Sequence, residues 1–352
     1  MALALCVFMA GCSGAGASSS TAAASVAATV QGQTITEDEV TAYIESFRSG
    51  MQYTNDDAWA SYLAEVNMTG KDLRESTITE LAVPIIIKAK ADDLGIAVDE
   101  STIDSEISAM RSSLLVENDE AWQNELARYG MTEEQLRKNI GNRVLEEQVL
   151  DQVASDVTAS DDEIASYITA NLTGVTTKKV ACVYGTNYDY VQNALAAITG
   201  ASSAAEGMSA LKEHPQEIGV EYADVGWDIN AELTSRMLNV VEHLDKGQLA
   251  DAPLGEGGIY YLFYIEDTYT FPSDGSAADL SDTSLKQAVS DLASTTLKDA
   301  AGNAWLQQQL DEQVVVNDMP SGLSYDVTPK ASTSASASTS EASENTTSTS
   351  GA

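Results

Sequence analysis

Basic residues are scarce in this chain. Lysine and arginine together number 18 among 352 residues, against 54 aspartates and glutamates, for a formal charge of −36. A phosphate backbone would be repelled by such a surface, so nucleic acid is excluded as a partner. Histidine occurs twice, at His214 and His243, and cysteine three times, at Cys6, Cys12 and Cys182. Three cysteines cannot build a disulfide framework, and no Cys/His spacing matches a zinc site. No metal or other cofactor is expected. The phosphate-cradling GxxxxGK[ST] loop and the GxSxG nucleophile elbow are both missing. Aromatics make up 6% of the chain. Beyond the N-terminus, no segment reaches the ~18 apolar residues that a membrane span needs.

The chain does have well-marked helix starts. Ile35-Thr36-Glu37-Asp38-Glu39-Val40 sets a hydroxyl cap three residues before a glutamate. Met131-Thr132-Glu133-Glu134-Gln135-Leu136 and Val157-Thr158-Ala159-Ser160-Asp161-Asp162-Glu163-Ile164 repeat the pattern. Each spells a capping box, in which the hydroxyl accepts a first-turn N–H and the Glu or Gln reaches back. Val98-Asp99-Glu100-Ser101-Thr102-Ile103 is a looser form with Asp99 as the cap. The acids also suit the positive end of the helix dipole. Such punctuation announces a helical scaffold rather than a catalytic pocket.

Residues 26–35 read as a short hairpin turning at Gln31-Gly32-Gln33. Val40, Tyr43, Ile44 and Phe47 then share a helical face, and a short helix is expected over 57–68. A long helix is expected over 73–94, stopped by Gly95 and kinked or restarted at Pro84. Ile103, Ile107 and Met110, then Trp122 and Leu126, then Leu136, Ile140 and Val144 continue the apolar stripes. Most amphipathic faces of this kind bury into a core; a chaperone needs some of that surface left open.

Both ends look like appendages. Met1–Ala10 is almost wholly apolar, and Phe8-Met9-Ala10-Gly11-Cys12 resembles a bacterial lipobox, whose cysteine would carry lipid. No basic residue precedes the apolar run, which departs from that pattern. We therefore expect a signal over 1–12 with Cys12 as the lipidation site, and a flexible tether over 13–25. Residues 329–352 are Ser/Thr/Ala-rich and are expected to be disordered.

Ala28-Thr29-Val30-Gln31-Gly32-Gln33-Thr34-Ile35-Thr36-Glu37, Ala89-Lys90-Ala91-Asp92-Asp93-Leu94-Gly95-Ile96-Ala97-Val98 and Tyr129-Gly130-Met131-Thr132-Glu133-Glu134-Gln135-Leu136 follow one another in an order that resembles the SurA/PrsA chaperone family. The resemblance implies a mostly helical N-terminal chaperone domain that handles unfolded or newly exported proteins outside the cytoplasm.

From Lys178 the pattern changes. Strands are expected at 179–184, 222–227 and 259–265, and helices at 188–198, 204–213 and 237–244, with a turn at 255–258. This βααβαβ succession resembles the parvulin prolyl isomerases, best at Asp224-Val225-Gly226-Trp227 and Leu244-Asp245-Lys246-Gly247-Gln248-Leu249. The resemblance implies a pair of central histidines, one in the first strand and one in the last. Here Ala181 or Cys182 occupies the first position and Tyr260 or Tyr261 the second, so the polar centre is missing. Cys182, Tyr260 and Tyr261 are the candidate catalytic positions. Met208, Trp227 and Met237 are candidates for the groove that would hold proline. The plainer reading of all six is core or sheet packing.

Leu285, Val289, Leu292, Leu297, Trp305, Leu306 and Leu310 recur at helical spacing before Val314-Val315-Val316. In the resembled family such a helix returns to the N-terminal domain. The expected class is thus α+β: a discontinuous helical domain over 26–157 and 280–328, an inserted parvulin-like domain over 158–272, and a linker at 273–279. The expected function is a lipid-anchored extracytoplasmic foldase on the outer face of the cell membrane, with weak or absent isomerase activity. An active isomerase with an atypical centre, or a surface binding or adhesion lipoprotein, are the alternatives. Oligomeric state stays open.

Overall fold

The computed structural model describes residues 25–325 except Thr54, Glu117 and Gly275. The expected signal, Cys12, nearly all of the tether and the C-terminal tail lie outside the described residues. The chain forms two compact units, one of residues 1–149 with 307–352 and one of residues 150–306. Helices dominate and two antiparallel sheets accompany them, an α+β composition.

In the first unit, β1 (Val26–Val30) and β2 (Gln33–Thr36) form the expected hairpin. Gln31 and Gly32 turn with φ of 49° and 80°, the double positive φ that matches hairpin twist. A third strand, β7 (Val314–Val316), pairs with the other side of β1 and brings distant sequence into the same sheet. Six helices follow β2: α1 (Glu37–Gly50), α2 (Asp56–Glu65), α3 (Gly70–Leu94), α4 (Glu100–Ser113), α5 (Asp119–Arg128) and α6 (Glu133–Val153). Thr36 and Glu39 form the expected capping box, and Thr132 and Gln135 exchange the same two bonds. Thr69 and Asp72 form another that the sequence reading passed over.

One expectation needs correction. Asp99 precedes α4 but makes no side-chain cap bond; Thr102 stands where a reciprocating acid would be, and the Asp99 carbonyl takes the first-turn N–H groups. Of the two outcomes expected at Pro84, a restart does not occur, since α3 runs unbroken from Gly70 to Leu94. A helix-interior proline costs ~3 kcal/mol. Burial of Ile78 and Ala82 before it, and of Ile86, Ile87 and Ala91 after it, offsets that loss.

The helices of this unit come as a duplicated triplet. Residues 37–74 and 100–137 align without a gap, with 14 of 38 positions identical. Asn55-Asp56-Asp57-Ala58-Trp59 answers Asn118-Asp119-Glu120-Ala121-Trp122, and Met68-Thr69 answers Met131-Thr132. The contacts are duplicated too. Asn55 and Asn118 cap α2 and α5 by accepting the N–H of Ala58 and Ala121. Arg48 pairs with Asp56 and lies 5.1 Å over the Trp59 ring; Arg111 pairs with Asp119 and lies 5.6 Å over Trp122. Arg74 pairs with Glu37, and Arg137 with Glu100. Even the backbone repeats, with positive φ at Gln52 and Leu115 and at Asn67 and Gly130.

In the second unit, a helix α7 (Asp161–Tyr167), opened by the expected Ser160–Glu163 capping box, runs into one wide π turn at Ile168–Leu172. The sheet contains β3 (Thr176–Gly185), β4 (Glu221–Trp227), β5 (Leu254–Glu256) and β6 (Ile259–Thr270) in the order β4-β3-β6-β5, all antiparallel. Gly255 and Glu256, expected in a turn, belong to β5; the turn is confined to Gly257 and Gly258, both at positive φ. The helices α8 (Tyr188–Gly200) and α9 (Ala204–Glu213) cover one face, where Val191, Ala194, Ile198 and Leu211 pack on Ala181, Val183 and Leu262. A short α10 (Ser235–Glu242) covers the other, over Val180, Cys182, Phe263 and Ile265.

A final helix, α11 (Thr283–Gln313), starts in this unit. Its Leu285, Ala288, Val289 and Ala293 pack with Ile164, Ile168, Leu172, Trp227 and Phe271. Residues 280–306, grouped with the helical body on sequence grounds, therefore lie in the sheet-containing unit.

Candidate functional site

Alternation along β3 and β6 decides where the candidate catalytic positions go, since neighbouring residues face opposite sides of a sheet. Cys182 opposes Phe263 in the ladder, on the α10 face, and is 4% exposed. Burial pushes its thiol up to about 12, so it stays protonated and a poor nucleophile at neutral pH. Tyr261 shares that face and stacks between Tyr184, at 6.0 Å, and Phe263, at 6.1 Å. Tyr260 points to the opposite face, where it meets Tyr188 edge-on at 5.3 Å. The fold thus brings Cys182 and Tyr261 to one side and Tyr260 to the other. Neither histidine is on the sheet: His214 follows α9, and His243 follows α10 with its Nδ1 2.6 Å from the Asn239 carbonyl oxygen.

The three candidate groove residues go to three separate cores. Met208 packs under α8 and α9, Met237 with Cys182 under α10, and Trp227 against α7 and the start of α11. The Trp227 indole donates to the Ser284 hydroxyl at 3.0 Å, which satisfies its one polar atom.

The polar groups on this sheet have structural partners. Lys212 donates to both Asp224 oxygens at 2.9 and 2.7 Å, and the Tyr222 hydroxyl donates to the same carboxylate. The Lys212 bonds hold the Asp224 carboxyl below its ordinary range, while burial raises the Tyr222 phenol. Lys178 donates to the Val241, Glu242 and Leu244 carbonyls, and so satisfies the C-terminal end of α10.

The surface of the first unit has two grooves among its helices. One, of about 430 Å³, lies among β2, α3 and α6. Ile35 and Ile87 are buried in its floor, Leu81, Pro84, Ile85 and Leu145 are half-buried along it, and Glu39, Lys88, Lys138 and Glu146 stand around it. Desolvation, then the charges of Glu80 and Glu147, raise the Glu146 carboxyl above its ordinary value. A second groove, of about 190 Å³, lies among α1, α2 and α3, lined by Tyr43, Phe47, Tyr62, Met68, Leu73 and Glu80 among others. Tyr62 stacks on Trp59 at 5.4 Å and on Tyr53 at 4.8 Å, so an aromatic cluster backs it. The sequence reading named none of these residues as a site. The signal was present, however, in five aromatics gathered between residues 43 and 62 of an aromatic-poor chain.

Residues 1–150 match the family described as the SurA-like N-terminal domain. No curated protein matches the chain. Among solved structures, one from Campylobacter jejuni, from work describing PEB4 and Cj1289 as SurA-like chaperones, shares 14% identity over 84% of this chain and 99% of that chain, with a TM-score of 0.39. The foldase protein PrsA of Lactococcus lactis shares 13% over 84% and 95%, with 0.37, and PrsA of Bacillus subtilis 14% over 82% and 92%, with 0.36.

Proposed function

We propose that this chain, whose first 150 residues match the SurA-like N-terminal domain, is an extracytoplasmic folding factor that holds unfolded or newly exported polypeptides. The observation that carries the reading is the open trough in which Ile35, Leu81, Pro84, Ile85, Ile87 and Leu145 form an apolar strip among polar and charged side chains. A helical body that served only as a scaffold would close such a surface against itself. An extended client could lay alternate apolar side chains into the trough and leave as it buries them in its own core. The reading includes anchoring through lipid on Cys12; among the described residues no helix is long and apolar enough to cross a membrane.

In the same reading, the sheet-containing unit descends from a parvulin-like isomerase and has weak or no activity. An X–Pro bond rotates over a barrier near ~20 kcal/mol, and lowering it calls for a slot that favours the twisted amide. Support for loss of activity comes from Cys182 being sealed under α10 and from Tyr260 and Tyr261 facing opposite sides.

The test is suppression of light scattering by a reduced, aggregating client. Suppression at stoichiometric amounts supports the reading; none, even in excess, overturns it. A proline-containing tetrapeptide assay addresses the second part. Robust turnover that disappears in Cys182→Ala or Tyr260→Ala would refute it. Mass spectrometry of membrane-fraction protein decides whether Cys12 carries lipid.

A further inference from the structure

The duplicated triplet contains its own control. Both copies keep the tryptophan, the arginine over it, the asparagine cap and the Glu–Arg pair, so these residues make the scaffold. Four positions differ in one direction. Tyr43, Phe47, Tyr53 and Tyr62 in the first copy correspond to Glu106, Met110, Val116 and Glu125 in the second. The second copy folds with none of those aromatics, so the scaffold does not require them. In the first copy they line or back the groove among α1, α2 and α3.

The second difference concerns charge. In the second copy, Glu106 on α4 and Arg143 on α6 are joined by an ion pair at 3.0 Å. Their counterparts in the first copy are Tyr43 and Glu80, which both line the open groove. Glu80 has no cationic partner among the described residues, and its charge acts on Glu146. Residues 37–80 contain ten acids and three bases. Each of those bases already faces a carboxylate: Arg48 that of Asp56, Lys71 that of Glu75, and Arg74 that of Glu37.

We propose that the α1–α2–α3 groove binds extended polypeptide segments in which an apolar or aromatic residue neighbours a lysine or arginine, the apolar side chain lying on Tyr43, Phe47 and Tyr62 and the cation meeting Glu80. The proposal rests on the client-binding reading above and narrows it to a class of segment. An aromatic wall can hold an apolar side chain and also attract a cation over its ring face. The acid excess then selects against acidic segments, as like charges at a binding surface do.

The experiment measures fluorescence anisotropy of two labelled peptides, identical apart from lysines flanking a central Leu-Phe in one and glutamates in the other. The full chain should bind the lysine peptide more tightly, with affinity falling as salt rises. Phe47→Met with Tyr62→Glu, residues the second copy tolerates, should weaken binding roughly tenfold or more. Glu80→Lys changes one exposed side chain, so it tests the site even if the double variant folds poorly, and it should abolish the preference for lysine. Equal affinity for the two peptides, or a preference unmoved by Glu80→Lys, overturns the proposal. If client aggregation is still suppressed in that case, the folding-factor reading survives without it. If aggregation is not suppressed and neither peptide binds, both fail.

Discussion

Glu37 and its counterpart Glu100 offer a within-molecule comparison of the same ion pair buried and exposed. Arg74 reaches Glu37 with its Nε 3.1 Å from each carboxylate oxygen. Its Nη2 also donates to the Ala27 carbonyl at 3.4 Å and the Asn317 carbonyl at 3.1 Å, which ties α1 and α3 to β1 and to the chain beyond β7. Glu37 is 4% exposed and Arg74 2%. Glu37→Gln removes the negative charge and leaves a guanidinium buried among carbonyls, a change that costs ~3–5 kcal/mol. With a urea slope of about 2 kcal/mol/M, the midpoint of the first unit should fall by roughly 2 M. The Arg137–Glu100 pair has 32% and 79% of its side-chain surface exposed, so Glu100→Gln should leave the midpoint nearly unmoved. Pairing Glu37→Gln with Arg74→Met should recover much of the loss by removing the stranded cation, though Ala27 and Asn317 then lack a donor. Urea unfolding followed by tryptophan fluorescence and circular dichroism measures all three. Equal shifts for Glu37→Gln and Glu100→Gln would refute the burial argument.

Other predictions concern titration and reactivity. Burial, then Glu80 and Glu147, raise the Glu146 carboxyl, so the folded state holds that proton more tightly than the unfolded chain does. Its contribution to stability is therefore present below the ordinary carboxylate range and is lost as pH rises through the raised value. Glu146→Gln should stabilise the protein at pH 7 and change nothing at pH 3; urea midpoints at the two values check this, and an equal gain at both would refute it. The Cys182 thiol, pushed up to about 12, should resist iodoacetamide in the folded protein and react once urea opens the α10 face, read by mass of the Cys182 peptide. Rapid labelling in the native state would mean that the thiol is reachable. Ser160→Ala should lower stability modestly, by ~1 kcal/mol, through loss of the α7 cap, and calorimetry reads the change. No change in the transition would argue that α7 does not depend on that cap.

Local chemistry was legible in the amino-acid order. The Thr36, Thr132 and Ser160 caps, the stop at Gly95 and the hairpin at Gln31-Gly32 all form as read, because each depends on residues within four positions of one another. The triplet repeat was equally present in the string. It is found only by setting residues 37–74 beside 100–137, and the repeated Arg–Trp and Glu–Arg contacts then give it physical meaning. Whether α3 would continue or restart at Pro84 was left open by the local signals, and apolar burial on either side outweighs the local penalty. The strand at Gly255-Glu256 was not legible, since it exists by pairing with β6.

Taken by itself, the order of residues determined where helices begin, that the sheet would lack histidines, and that the charge would be strongly negative. Only the tertiary structure decided that Met208, Trp227 and Met237 part into three cores, and that Cys182 is sealed while Tyr43, Phe47 and Tyr62 line an open groove. Helix caps and composition follow from covalent neighbours. Whether an apolar side chain faces a core or a groove depends on what other segments of the chain pack beside it.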